Sequence, residues 1–200
     1  MITLNTWHKR FDTEKYMYGE TSNEFIRTHA GYLNEHATIA AFAEGEGRNA
    51  VFLAQLGHTV TAFDYAQSGL DKTERLATKN QTVVTTKLTD LLTDDVPVAQ
   101  FDAAIMVFGH FYQDDQLNVL TKIANSVKPG GRIMMELYST AQITYGTGGP
   151  RDTDWLYDAK QLLDWCAQYK ILHFFTGEVE RSEGELHTGL AHTIQFIIQK

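Results

Sequence analysis

The chain is poor in several things, and each absence narrows what it can be. Of 200 residues only Cys166 is a cysteine, which removes any internal disulfide or cysteine-based zinc site and suits a reducing compartment. No apolar run approaches the roughly 20 residues of a membrane-spanning helix. The N-terminal MITLNTWHKRFDTEKY is polar, with no signal-type apolar core. A cytoplasmic protein without membrane contact is the expectation. Basic charge is also short: a net charge of −8 and a pI near 5.4 argue against an electrostatic grip on nucleic acid. The eight histidines show neither H-x-H nor H-E-x-x-H spacing, so no metal site is expected. No internal repeat, low-complexity tract or interdomain linker divides the chain. One domain over 1–200 is expected, with 1–36 a lid segment and helix and 37–200 the core.

What is present is enough apolar matter for such a core, 43% hydrophobic and 12% aromatic residues. The stretch from Ile39 to Asp64, IAAFAEGEGRNAVFLAQLGHTVTAFD, sets the pattern. Ile39–Ala43 is uncharged and apolar, as a strand buried on both faces should be. Glu44-Gly45-Glu46-Gly47 breaks it, Asn49–Leu56 resumes at helical spacing, and Gly57 is a stop. Val60–Phe63 forms a second strand ending at Asp64.

Further along, 68–78 reads as an exposed helix, 82–88 and 101–108 as strands, and Leu117, Leu120, Ala124 and Val127 as the apolar face of another helix. Lys128-Pro129-Gly130-Gly131 ends that helix and Arg132–Tyr138 is a fifth strand. Residues 139–153 form a polar, glycine-rich loop, long enough to suggest a role. A helix opens at Asp158, and Ile171–Val179 with Leu190–Ile198 closes the chain as an antiparallel hairpin around a polar turn, RSEGELHTG. Before all of these, Thr21 and Glu24 form a capping box for a helix over 22–36, while residues 1–20 show no sustained period. Strands alternating with helices predict an α/β, Rossmann-like three-layer sandwich. Its seven-stranded, mostly parallel sheet ends in the antiparallel hairpin.

In such a sheet ligands bind beyond the carboxyl ends of the strands. Gly45-x-Gly47 lets the backbone approach a ligand. Asp64 is placed to accept two hydrogen bonds from a ribose diol, or to cap the helix after it. Asp90 and Leu91 would flank an adenine, one by its carboxylate and the other by an apolar wall. The same spacing satisfies G-x-G-x-x-A with Asp64 at the distance expected for NAD, but Glu46 and Arg48 would crowd a pyrophosphate and no Tyr-x-x-x-Lys pair is present. S-adenosylmethionine, cationic and phosphate-free, suits the acidic turn.

The residues Glu44-Gly45-Glu46-Gly47-Arg48-Asn49, Asp64, Lys128-Pro129-Gly130-Gly131 and the closing hairpin resemble class I S-adenosylmethionine-dependent methyltransferases. The branch they look most like is the small bacterial tellurite-resistance type, which the W-H-K-R-F, Y-M-Y-G and Y-G-T-G-G-P stretches also resemble. The resemblance implies a sheet of six parallel strands and one antiparallel strand. It implies Glu44 and Gly45 around the methionine and ribose, Asp64 at the diol, Asp90 and Leu91 at the adenine, and Phe108 and Gly109 beside the sulfonium, with Gly47 and Tyr65 as further cofactor-binding candidates. One departure is that Ala41 and Ala43 stand where the family usually carries an acidic residue and, two positions on, its first glycine; Glu44 is the candidate to supply the polar contact.

Trp7, Arg10 and Tyr18 are candidates to cover the cofactor, since an aromatic face suits a sulfonium. His110, just beyond the fourth strand, is the candidate catalytic base, with packing under the lid as its alternative. Tyr145, Arg151 and His187, with Glu185, are candidates to meet the acceptor. The expected activity is methyl transfer to a small-molecule acceptor, a thiol, selenium or tellurium compound among them. An NAD-dependent oxidoreductase and a non-catalytic S-adenosylmethionine-binding module remain the alternatives, and the chain would act as a monomer or homodimer.

Overall fold

A computed structural model describes residues 4–184 and 187–200; Glu185 lies outside them. The elements, in order, are α1 (Leu4–Phe11), α2 (Glu24–His29), β1 (Thr38–Phe42), α3 (Arg48–Gln55), β2 (Thr59–Asp64), α4 (Gln67–Lys79) and β3 (Val84–Leu88). They continue with β4 (Phe101–Val107), α5 (Gln113–Ser126), β5 (Val127–Tyr138), α6 (Ala159–Cys166), β6 (Lys170–Glu183) and β7 (His187–Gln199). The sheet runs β3-β2-β1-β4-β5-β7-β6. β7 is antiparallel to both neighbours while every other pairing is parallel. Six strands therefore run one way and one against them, a Rossmann-like three-layer sandwich.

The layers follow from alternation along each strand. In β1, Ala40 and Phe42 join Met106, Met135, Leu137 and Phe196 under α5 and α6. Ile39 and Ala41 point to the other face, against Phe25, Leu53 and Leu70 of α2, α3 and α4. Both faces being covered explains why β1 and β4 read as unbroken apolar runs. The strand order reverses between β2 and β4 on either side of β1, which opens a crevice at the carboxyl ends of these strands.

Four local expectations are corrected. Residues 4–11 form a helix, α1: Leu4, Trp7 and Phe11 stand at i, i+3 and i+7, a short helical stripe among charged neighbours, and Phe11 is buried. α2 is capped by Asn23, whose side chain accepts from the Ile26 amide, rather than by Thr21, and it gives way to a 3₁₀ turn at Ala30–Tyr32. α4 is not simply exposed: Leu76 and Ala77 pack into the sheet core, Thr73 lies under the Gly45–Gly47 turn, and Lys72 is covered by Lys15 and Tyr16 of the N-terminal segment. The hairpin strands run much further than their apolar cores, so Arg181, Glu183 and His187 are strand residues and not a solvated turn.

Candidate functional site

The turn after β1 bends through left-handed backbone at Ala43 (φ 47°), Gly45 (φ 61°) and Gly47 (φ 89°). The last two are required sterically as well. A Cβ on Gly47 would sit 2.6 Å from Thr73, and one on Gly45 would sit 3.1 Å from the Phe11 ring. The turn thus lets α4 and α1 close in on the carboxyl end of β1.

Glu44 folds back over this turn. Its Oε1 accepts the Asn49 and Ala50 amides at 2.9 and 2.8 Å. The amides of the first turn of α3, which would otherwise hold an anionic ligand, are met by the protein's own carboxylate. Burial pushes the Glu44 carboxyl up to about 7, opposed by the Ala50 amide and Arg48. Asp64, at the end of β2, accepts Gly45 N–H on Oδ2 and Ala66 N–H on Oδ1, both at 2.8 Å. Burial raises it to about 6 against those same amides. Among the described residues neither carboxylate forms an ion pair.

Both acids line a cleft that encloses about 870 Å³ including its open mouth. Gly45, Tyr65, Leu91, Phe108 and Gly109 line it too, as do Trp7, Tyr18, His110 and His187. Gly47, Arg10, Asp90, Tyr145 and Arg151 do not. Gly47 lies under α4 instead, and Arg10 acts one step back: it donates to the Tyr18 hydroxyl at 2.9 Å and sits 4.4 Å over the Trp7 ring. The Asp90 carboxylate closes a local turn by accepting Leu92 N–H at 2.9 Å, and Thr89 lines the wall in its place. Tyr145 donates to Glu178 on the outer hairpin at 2.7 Å, and Arg151 is exposed. The long loop is therefore pinned to the hairpin away from the cleft, although Gly149 packs on the Tyr138 ring.

Sequence reasoning did not find Phe11, Arg48 and Asn49 as lining residues, and it counted Glu46 with the acids that suit a cationic ligand. Glu46 lines the cleft but pairs its carboxylate with the buried Lys72 ammonium at 2.7 Å. Lys72 also donates to the Lys15 carbonyl, while the Tyr18 amide donates to Glu46 at 3.3 Å. This buried pair stitches residues 13–18 across the roof. The Glu46 charge is compensated within the protein, so Glu44 and Asp64 carry the negative character of the cleft.

At the other end lies a second charge system. Arg48 pairs with Glu183 at 2.8 Å, and Arg181 pairs with Glu136 at 2.8 Å. Glu136 also accepts from Asn23, Thr193 and Gln195. Above this network Phe108 holds a left-handed φ of 55°, fixed by its amide on the Glu136 carbonyl at 2.8 Å. The buried Tyr157 hydroxyl donates to Gly109 O at 3.0 Å, and a Cβ on Gly109 would meet Met106 sulfur at 2.5 Å. The loop after β4 has little freedom.

His110 stacks between Trp7 (centroids 5.7 Å apart, 20° between planes) and Tyr138 (6.1 Å, 11°). Burial, with Arg10 adding to it, pulls its pKa down to about 3. The imidazole is neutral near pH 7 but a poor proton acceptor, which counts against general-base catalysis and favours the packing role. His187 sits 4.5 Å from the Tyr18 ring and 5.1 Å from Phe108. Burial, Arg48 and Arg181 bring its pKa to about 2. Its Nδ1 and the Tyr138 hydroxyl are buried without a hydrogen-bond partner among the described residues.

The sheet order, the carboxyl-end cleft and the closing hairpin define the Rossmann-like methyltransferase fold. In sequence, residues 39–131 match the family model of a methyltransferase domain. TehB from Haemophilus influenzae superposes with a TM-score of 0.73 at 14% identity over 98% of this chain and 66% of its own. A SAM-dependent methyltransferase from Methanosarcina mazei gives 0.69 at 16% identity over 90% and 98%. A structure concerned with the conversion of a disulfide bond into a thioacetal group during echinomycin biosynthesis gives 0.76 at 15% identity over 96% and 88%. Likeness at such identities speaks for the fold alone. No curated protein sequence matches the chain.

Proposed function

We propose that the protein binds S-adenosylmethionine and transfers its methyl group to a small acceptor. The observation that carries this reading is Glu44: its carboxylate fills the amide site at the start of α3. A dinucleotide pyrophosphate would need those amides and would meet a carboxylate there instead. A ligand with an ammonium and a sulfonium meets two buried acids that lack ion-pair partners. The residues fit the group: Glu44 and Gly45 for its amino-acid end, Asp64 and Tyr65 for the ribose, Thr89 and Leu91 for the adenine. The methyltransferase-domain match over residues 39–131 supports the same reading.

S-adenosylmethionine, when bound, supplies a methyl group on a cationic sulfur, so the chemistry is displacement at carbon. The chain's part is to orient and to exclude water. Trp7, Phe11 and Tyr18 form the roof, and Phe108 and Gly109 make a rigid wall at the strand end. The neutral His187 lines the hairpin end, where an acceptor would sit, and the buried Tyr138 ring packs behind it. With His110 and His187 both weakly basic, the fitting acceptors arrive already nucleophilic: thiols that ionise readily, and selenium or tellurium compounds. An amine or alcohol that arrives protonated would have to lose its proton first, and neither imidazole is basic enough to take it.

Titration calorimetry with S-adenosylmethionine, S-adenosylhomocysteine and NADH tests the cofactor. Binding of the first two without NADH is expected. Tight NADH binding with no response to the sulfonium pair overturns the proposal. A methyl-acceptor screen across thiols, selenite, tellurite and small amines tests the rest, and turnover confined to amines would overturn the acceptor class.

A further inference from the structure

We propose that the protein has a second small-molecule site, between α2 and the outer hairpin, built for a small organic amine that also carries a hydroxyl. The proposal does not depend on the cofactor reading, because the site lies behind the wall that ends the cleft. Arg181, Glu136 and Glu183 make that wall. Toward the cleft, the Arg181 guanidinium lies 4.2 Å over the Phe108 ring and Glu183 pairs with Arg48; Phe108 and Arg48 both line the cleft. Away from it, the same three wall residues line a separate cavity that encloses about 670 Å³ including its open mouth. No described residue lines both.

Three features of this cavity each call for one part of the ligand. Its apolar side is aromatic: the rings of Phe25, His29 and His173 pack on one another at 4.8–5.9 Å, and Phe175 leans over Gly177, where a Cβ would come within 2.8 Å of its ring. An aryl or branched alkyl group fits against such a surface. Its inner side holds polar atoms with nothing to bond. Arg181 is 4% exposed, and its Nε, like the Nε2 of His173, is buried without a hydrogen-bond partner among the described residues. A buried donor left unmet is costly. A hydroxyl can accept from the guanidinium and serve either tautomer of the imidazole. A carboxylate fits worse, since the Arg181 charge is already met by Glu136 at 2.8 Å and Glu183 at 3.7 Å. The outer side carries one acid in excess. Of the four carboxylates around the cavity, Glu136 pairs with Arg181, Glu183 with Arg48 and Glu24 with Arg27. Glu180 is exposed and forms no ion pair among the described residues, so an ammonium would meet it.

Phenylalaninol is the probe, since it carries an aryl group, a hydroxyl and an ammonium on one short frame. Calorimetry should show one molecule bound per chain with a dissociation constant below about 1 mM. 2-Phenylethylamine lacks the hydroxyl, and phenylalanine has a carboxylate in its place. Each should bind at least about fivefold more weakly than phenylalaninol. Glu180→Gln should weaken phenylalaninol by at least about fivefold, and the difference should shrink as salt is added. Val179→Trp puts a large ring into the cavity and should abolish binding, with thermal unfolding showing that the variant is folded. Glu180→Gln changes an exposed residue and keeps the test decisive should the tryptophan variant not fold.

No saturable binding of phenylalaninol by about 10 mM overturns the proposal. Binding that ignores both substitutions does so too, because the amine would then sit elsewhere. Saturating S-adenosylhomocysteine should leave phenylalaninol bound. Its displacement would put the amine in the cleft and overturn the second site, while the cofactor reading would stand.

Discussion

The two ends of the cleft handle buried charge in opposite ways. At the turn end, Glu44 and Asp64 are held by backbone amides and lack ion-pair partners among the described residues. At the hairpin end, Arg48, Arg181, Glu136 and Glu183 compensate one another in a closed network, and the two nearby imidazoles are driven neutral. One end keeps a negative potential open to a ligand, and the other is finished without one. Under the proposed function the first would meet the cationic cofactor and the second a neutral or self-ionised nucleophile.

The sharpest way to break the comparison is to remove one acid from each end. Glu136→Ala leaves the Arg181 guanidinium, in a site where both side chains are 2% exposed, with only the Glu183 carboxylate at 3.7 Å. It should cost about 3–5 kcal/mol in denaturant unfolding. Glu44→Gln removes a charge that no described residue pairs, and stability should stay within about 1 kcal/mol of wild type or rise slightly. If both variants lost equal stability, the distinction between a finished and an open end would be gone.

Ligand binding should divide the same way. Asp64→Asn removes the charge that would meet the ribose diol, and charge-assisted hydrogen bonds contribute about 1.5–3 kcal/mol. S-adenosylhomocysteine affinity measured by calorimetry should fall roughly tenfold to a hundredfold. His110→Phe keeps an aromatic ring between Trp7 and Tyr138, and should leave that affinity within about threefold. A large loss from His110→Phe would give the imidazole a polar role that its surroundings argue against.

Acid stability provides a third probe. His187 has a folded pKa of about 2, far below the ~6.5 of an unfolded histidine. Below about pH 6.5 the unfolded chain therefore takes up a proton at this position that the folded one refuses, and stability falls as pH drops. His187→Gln removes that term. The variant should gain on wild type by up to about 1.4 kcal/mol per pH unit from about pH 6 to 4.5, followed by chemical denaturation. Glu44 and Asp64 work in the other direction. Their folded pKa values are raised, to about 7 and 6, so the folded state takes up protons first and gains stability as pH falls toward the unfolded carboxyl range. Parallel curves for His187→Gln and wild type would refute the burial of a neutral imidazole.

Much of the turn end was legible in the sequence. A strand buried on both faces has to be apolar throughout, and a turn that lets two helices close in has to be glycine, so β1, Gly45, Gly47 and the end of β2 at Asp64 could be located. The hairpin end was not legible, because its meaning lies in pairs made across the fold. Arg48 reaches Glu183, and Asn23 reaches Glu136; locally, Glu183 has the polar neighbours of a solvated turn. α1 was missed for a related reason: Trp7 and Phe11 bury themselves on the cleft and on Gly45, so their apolar partners lie outside their own segment. The 139–153 loop was credited with the acceptor on length and glycine content, yet Tyr145 bonds outward to Glu178.

The smallest expected effect bears on the backbone of the two ends. Ala43 and Phe108 both follow central strands, and both hold left-handed φ, 47° and 55°. A non-glycine residue there carries a strain of about 1–2 kcal/mol. Ala43 has only a methyl group to set against it, so Ala43→Gly should stabilise the protein by about 0.5–1 kcal/mol once the added freedom of the unfolded glycine is included. Phe108 offsets the same strain with a ring stacked 4.4 Å from Tyr138 and beneath Arg181 at 4.2 Å. Phe108→Gly should therefore destabilise, because losing a buried aromatic costs about 3–5 kcal/mol, more than the relief. Thermal or denaturant unfolding of the two glycine variants should move in opposite directions. Movement in the same direction would mean that the packing at Phe108, and with it the rigid wall at the hairpin end, contributes less than its contacts imply.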